Sequence, residues 1–174
     1  TTTLAPFVFC ARADLWGPIF GMAIDDMSSD PRTLDVLSQL VRFTEPKVLV
    51  EVGTYRGWGT TVLAETLRLF SLPGHVWSCD PVDLGVQALV DQSELTDRVT
   101  LIQGTFEDLL AQLGTKMDFC YIDASAKREP SLRLRYTKLA LAHMNPRGIV
   151  AVDDAGGDWR GAKMLRRMGL YLPH

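Results

Sequence analysis

Five short runs of β-branched and apolar residues, at 48–52, 76–79, 99–102, 119–122 and 149–152, constrain the fold of this chain more than any other feature. Within Val48-Leu49-Val50, Phe119-Cys120-Tyr121-Ile122 and Ile149-Val150-Ala151-Val152 the apolar residues are consecutive, not alternate. Strands of this kind need cover on both faces, which a parallel sheet between helices provides and a half-wet antiparallel sheet does not. The runs recur every 20–30 residues, room for one helical crossover each, so the pattern predicts βαβ units.

The intervening segments agree. Val62, Leu63, Leu67 and Phe70 fall at helical spacing, and Pro73-Gly74 ends that segment. Leu132, Leu134, Leu139 and Leu141 lie among Arg133, Arg135 and Lys138, followed by a return turn at Asn145-Pro146-Arg147-Gly148. Upstream, Ser28-Ser29-Asp30-Pro31 predicts a helix start leading through 33–41 into the first strand. Right-handed crossovers then give a doubly wound, mainly parallel sheet. The expected organisation is an N-terminal extension at 1–27, packed or partner-contacting, and one domain at 28–174.

A chain of 174 residues can bury a single core without disulfides or a structural metal. Cys10, Cys79 and Cys120 are odd in number and far apart, which predicts free thiols in a reducing compartment and a cytoplasmic location. No apolar run has the roughly 20 residues that cross a bilayer, so no membrane partner is expected. A net charge of −3 argues against a general nucleic-acid partner. The charge is uneven: residues 1–126 hold 8 basic and 17 acidic side chains, residues 127–174 hold 10 and 4. Lys127, Arg128, Arg133, Arg135 and Arg160 are therefore either a solvated face or a patch that attracts an anionic substrate.

In an open α/β sheet, ligands bind beyond the carboxyl ends of the strands. The first strand runs into Glu51-Val52-Gly53-Thr54-Tyr55-Arg56-Gly57-Trp58-Gly59-Thr60, where glycines permit a tight turn before a helix. The second ends at Asp80, able to accept from ribose hydroxyls. The third ends Gln103-Gly104-Thr105-Phe106, the fourth Ile122-Asp123, and the fifth Val152-Asp153-Asp154. Helix capping is the plain reading of these acids; a ligand crevice is the functional one. The G-x-G-x-x-G spacing is absent, which disfavours a nicotinamide-dependent oxidoreductase.

The run 47–57, with Leu95-Thr96-Asp97-Arg98-Val99, 118–124 and Asn145-Pro146-Arg147-Gly148 through Asp154, resembles the class I S-adenosylmethionine-dependent O-methyltransferases of the catechol and caffeoyl-coenzyme A type. The resemblance covers about 28–155 and implies a Rossmann-like α/β fold. About 20 residues follow Asp154, so the family's C-terminal antiparallel strand pair is expected to be incomplete. It further implies S-adenosylmethionine binding by Glu51, Gly53, Thr54, Tyr55, Gly57, Thr60, Asp80, Gly104, Thr105, Phe106 and Asp123, with Glu51 near the methionyl ammonium and 104–106 beside the adenine. In the metal-dependent branch, Asp123, Asp153 and Asp154 would hold Mg²⁺ or another divalent cation. Asp123 and Lys127 are the catalytic candidates, Lys127 being either a general base or a surface lysine. The implied partner is a small hydroxylated acceptor, with a homo-oligomer left open. Trp58 and Trp159 are wall or packing residues. A non-catalytic binding module on the same fold is the alternative from a different class.

Overall fold

The computed structural model describes residues 31–124 and 131–153. The described chain runs α1 (Pro31–Thr44), β1 (Val48–Val52), α2 (Trp58–Leu69), β2 (His75–Asp80), α3 (Val86–Gln92), β3 (Val99–Gln103), α4 (Phe106–Leu113), β4 (Met117–Ile122), α5 (Leu132–Ala142) and β5 (Met144–Val152). The five strands form one sheet in the order β3-β2-β1-β4-β5, and every neighbouring pair is parallel. The expected doubly wound parallel sheet is what these residues form. The family's C-terminal antiparallel pair, expected to be incomplete, and the extension at 1–27 lie outside the described residues.

Consecutive apolar residues in the strands serve two separate cores. Leu49, Val76, Phe119 and Tyr121 face α1 and α2 together with Leu34, Leu37, Val62 and Leu67. Val50, Cys79, Cys120 and Ile122 face the other side, against Phe106, Leu109, Leu113, Tyr136 and Ala140 from α4 and α5. Because side chains alternate across a strand, a run apolar at every position is the sequence mark of a sheet with two dry faces. Cys79 and Cys120 are buried free thiols, and burial pushes both upward, Cys79 to about 12.

The turn expected at 145–148 falls inside β5: Met117 pairs with Met144 and Phe119 with Ile149, so the intervening residues leave the ladder as an irregularity with Arg147 at φ 70°. At this amino edge Asp118 ties three strands. Its carboxylate accepts from the Lys47 and Val48 amides at 2.9 and 3.0 Å and from Asn145 Nδ2 at 2.8 Å.

Candidate functional site

The carboxyl edge of the sheet carries the site, beginning with the turn after β1. Gly53 has φ +106°, and a Cβ there would stand 2.6 Å from the Asp123 carbonyl oxygen. The glycine is thus required by the backbone that follows β4, whose Asp123 amide donates to Val52 O at 2.9 Å. Gly53 and Thr54 both donate to Cys79 O, and Gly57 donates back to Thr54 O at 2.8 Å. Gly57, at φ +84°, starts α2, and a side chain there would strike Val86 of α3. These glycines hold the crevice shut at its base, a packing role that the glycine-turn reading alone did not distinguish from ligand contact.

Glu51 and Ser78 are register partners on β1 and β2, while Tyr121 pairs with Glu51 from β4. All three lie on the face beneath α2. Glu51 is 1% exposed, and its Oε2 accepts from Ser78 Oγ at 2.6 Å and from Thr60 Oγ1. Ser78 Oγ also lies 2.6 Å from Thr54 Oγ1 and accepts from Thr60 Oγ1 at 3.1 Å. Loss of solvent raises the Glu51 carboxyl to about 7, with Asp123 and Asp80 adding to the rise and the two hydroxyl donors opposing it. A Cβ at Gly59 would meet Glu51 Oε1, so a side chain there would force the buried carboxyl to shift. The Glu51 carboxylate is enclosed behind the turn, where burial and two hydroxyls define its surroundings.

Asp80, the last residue of β2, accepts from the Tyr55 amide through Oδ2 at 3.0 Å and from the Val82 amide through Oδ1 at 2.9 Å. The second bond is an Asx turn, and the first anchors Tyr55, whose φ of 44° is left-handed. With one amide on each oxygen, the carboxylate retains lone pairs for further donors. Around it lies a pocket of about 220 Å³, lined by Thr54, Asp80, Val82, Leu84, Leu101 and Gln103 among others. Tyr55, Val82 and Leu84 are exposed at this edge.

The loop after β3 is built as a helix cap. Thr105 caps α4 in a reciprocal box with Asp108: the Asp108 amide donates to Thr105 Oγ1 at 3.3 Å, and the Thr105 amide donates to Asp108 Oδ2 at 2.8 Å. Hydrogen bonds from the Thr105 amide and hydroxyl hold Asp108 below the usual carboxylate range. Gly104 leaves room for that carboxylate. Phe106 is 0% exposed and sits edge-on to Tyr136, 5.5 Å between centroids, so its ring belongs to the core. The walls on this side come from Leu101, Ile102 and Gln103 of β3. Trp58, 3% exposed, is likewise a packing residue.

Asp123 and Asp153 follow the ends of adjacent strands, with the Asp153 amide donating to Ile122 O at 2.9 Å. Tyr121 Oη donates to Asp153 Oδ2 at 3.1 Å. Among the described residues no three His, Cys, Asp or Glu side chains gather as a metal site requires. Asp154, the third expected ligand, and Lys127 lie outside the described residues, as do Arg128, Trp159 and Arg160. Ser78 and Leu101 were missed from sequence, and Gln103 was read only as a strand end. A serine within an otherwise apolar strand, two residues before Asp80 and hence on its face, was the available signal for Ser78.

Residues 50–155 match a family model described as a methyltransferase domain. The chain belongs to this methyltransferase family. It is 30% identical over 93 residues to catechol O-methyltransferase of Sus scrofa, a match covering 51% of this chain and 47% of the pig protein. The chain therefore spans about half the length of that relative. Among solved structures, it is similar to the O-methyltransferase TomG of Streptomyces achromogenes in complex with SAM, at TM-score 0.64 and 18% identity over 90% of this chain and 74% of that one. It is also similar to an O-methyltransferase of Bacillus cereus in complex with SAH, at TM-score 0.61 and 20% identity over 91% and 87%. The fold is what these structures share. No helix among the described residues is long and apolar enough to cross a membrane.

Proposed function

We propose that this methyltransferase domain moves a methyl group from S-adenosylmethionine to a hydroxyl of a small molecule. The observation that carries this reading is the pocket at the ends of β2 and β3, where Asp80 holds the β1 turn open through Tyr55 and keeps lone pairs facing a donor-bearing ligand. That arrangement suits a nucleoside, with Asp80 accepting from ribose hydroxyls and Leu101, Ile102 and Gln103 beside the base. When bound, S-adenosylmethionine supplies an electrophilic methyl on a sulfonium.

Methyl transfer from a sulfonium is an in-line displacement, so the protein's task is to place an acceptor oxygen in line and to have its proton removed. Thr54, Gly53 and Gly57 shape the turn against which the cofactor's amino-acid end would lie, while Glu51, Thr60 and Ser78 stiffen it from behind. Lys127 and Asp123, which ends the strand next to β1, are the catalytic residues of this proposal, with Lys127 as the base that takes the acceptor's proton. Asp123 and Asp153 supply hard oxygen donors at adjacent strand ends. They are two where a divalent cation needs more, so its fit rests on Asp154 and no catalytic step is assigned to it.

Calorimetric titration with S-adenosylhomocysteine is the first test: micromolar binding supports the reading, and binding of NAD(H) instead of S-adenosylhomocysteine would remove it. Turnover on a panel of catechols, hydroxylated polyketides and sugars, with and without chelator, addresses acceptor and cation together. Full activity in chelator excludes the cation's role. Tight cofactor binding with no turnover across the panel would favour a binding module.

A further inference from the structure

In the buried hydroxyl chain behind the turn, the count of protons gives Ser78 a role beyond stiffening it. Ionised, Glu51 can only accept, so Ser78 and Thr60 must both donate to its Oε2. A serine hydroxyl has one proton. With that proton committed to Glu51, the 2.6 Å contact between Ser78 and Thr54 must be a bond from Thr54 Oγ1 to Ser78 Oγ. The only proton on the Thr54 hydroxyl is thereby turned inward. Thr54 lines the pocket, so a ligand group that meets this hydroxyl meets an acceptor.

We propose that Ser78 is a positioning residue of the cofactor site, relaying the charge of Glu51 to Thr54 and fixing the Thr54 hydroxyl as an acceptor for a ligand ammonium or sugar hydroxyl. Ser78 is fully buried and touches the ligand only through Thr54. The relay differs from a packing role in one respect: it works only as an intact chain. Once Thr54 is removed, removing Ser78 as well adds nothing, because Ser78 acts on the ligand only through Thr54.

The inference rests on the S-adenosylmethionine reading, and a double-mutant cycle separates the two. Affinity for S-adenosylhomocysteine is measured by calorimetry at pH 8.5, where Glu51 is ionised, for wild type, S78A, T54V, the double variant S78A/T54V and S78T. Each single loss should weaken binding by about tenfold, the double by no more than T54V alone, and S78T should stay within about threefold of wild type. S78C, near-isosteric with a weak donor, replaces S78A in the cycle if thermal unfolding shows S78A to be unfolded. Multiplicative losses in the double variant, or wild-type affinity in S78A, would overturn the relay and leave the cofactor reading standing. No binding by wild type overturns the cofactor reading and the relay with it.

Discussion

At the residue scale, Glu51 is a carboxyl that burial has moved to about 7 from an ordinary value of 4.5. A folded-state value above the unfolded one means that the native protein holds an extra proton between the two. Stability from this group is therefore fully present below pH 4.5 and is lost as pH rises to 7, a change of about 3 kcal/mol if no rearrangement intervenes. E51Q keeps the shape and an acceptor for Ser78 and Thr60 without the charge. Its melting temperature should exceed that of wild type at pH 8 and converge with it near pH 4.5. Equal melting curves at pH 8 would show that Glu51 is not ionised at a cost. Asp118 has the opposite sign: burial works against its charge, but Asn145, the Val48 and Lys47 amides and the Lys47 charge together hold it below its ordinary value. Its contribution is present above the unfolded value and fades as pH falls through the folded one.

At the scale of elements, two glycines with similar dihedrals separate strain from collision. Gly53 at φ +106° faces the Asp123 backbone, whereas a methyl added at Gly85, φ +76°, would meet nothing within 4 Å. G85A should cost about 1 kcal/mol, the left-handed penalty alone. G53A should cost at least about 2 kcal/mol more, because the end of β4 must move, and should abolish S-adenosylhomocysteine binding; chemical denaturation of the pair measures the difference. In α4, T105A removes one half of the capping box and should destabilise by about 1 kcal/mol. Calorimetry on that variant also tests the expectation that Thr105 lies beside the adenine: unchanged affinity would leave it as a cap alone. Phe106, two residues after Gly104, looks accessible in one dimension, yet it is the first residue of a helix whose inward face packs on Tyr136.

For the whole molecule, the two edges of the sheet divide stability from function. The amino edge is tied by Asp118 across β1, β4 and β5; the carboxyl edge holds the pocket. D118A should lower the melting temperature by several degrees, leaving three donors without their carboxylate, and should not change S-adenosylhomocysteine affinity at temperatures where the variant is folded. A matching loss of affinity would mean that the edges are coupled.

The strand positions, their parallel pairing and the edge of the sheet that carries the pocket were legible from the sequence, because a two-faced strand must be apolar at every position and a crossover needs a helix's length of chain. Glu51, Gly53 and Asp80 stood out for the same reason: polar and glycine residues at the ends of apolar runs are visible in one dimension. Only the tertiary structure decided what each of them meets. Gly53 answers to a carbonyl 70 residues away and Glu51 to a serine on the next strand. Phe106 turns from the pocket into the core because its helix is packed on the far side of the sheet. Such roles depend on register between strands and on which helix covers which face, and these are set by packing across long loops that local pattern does not encode.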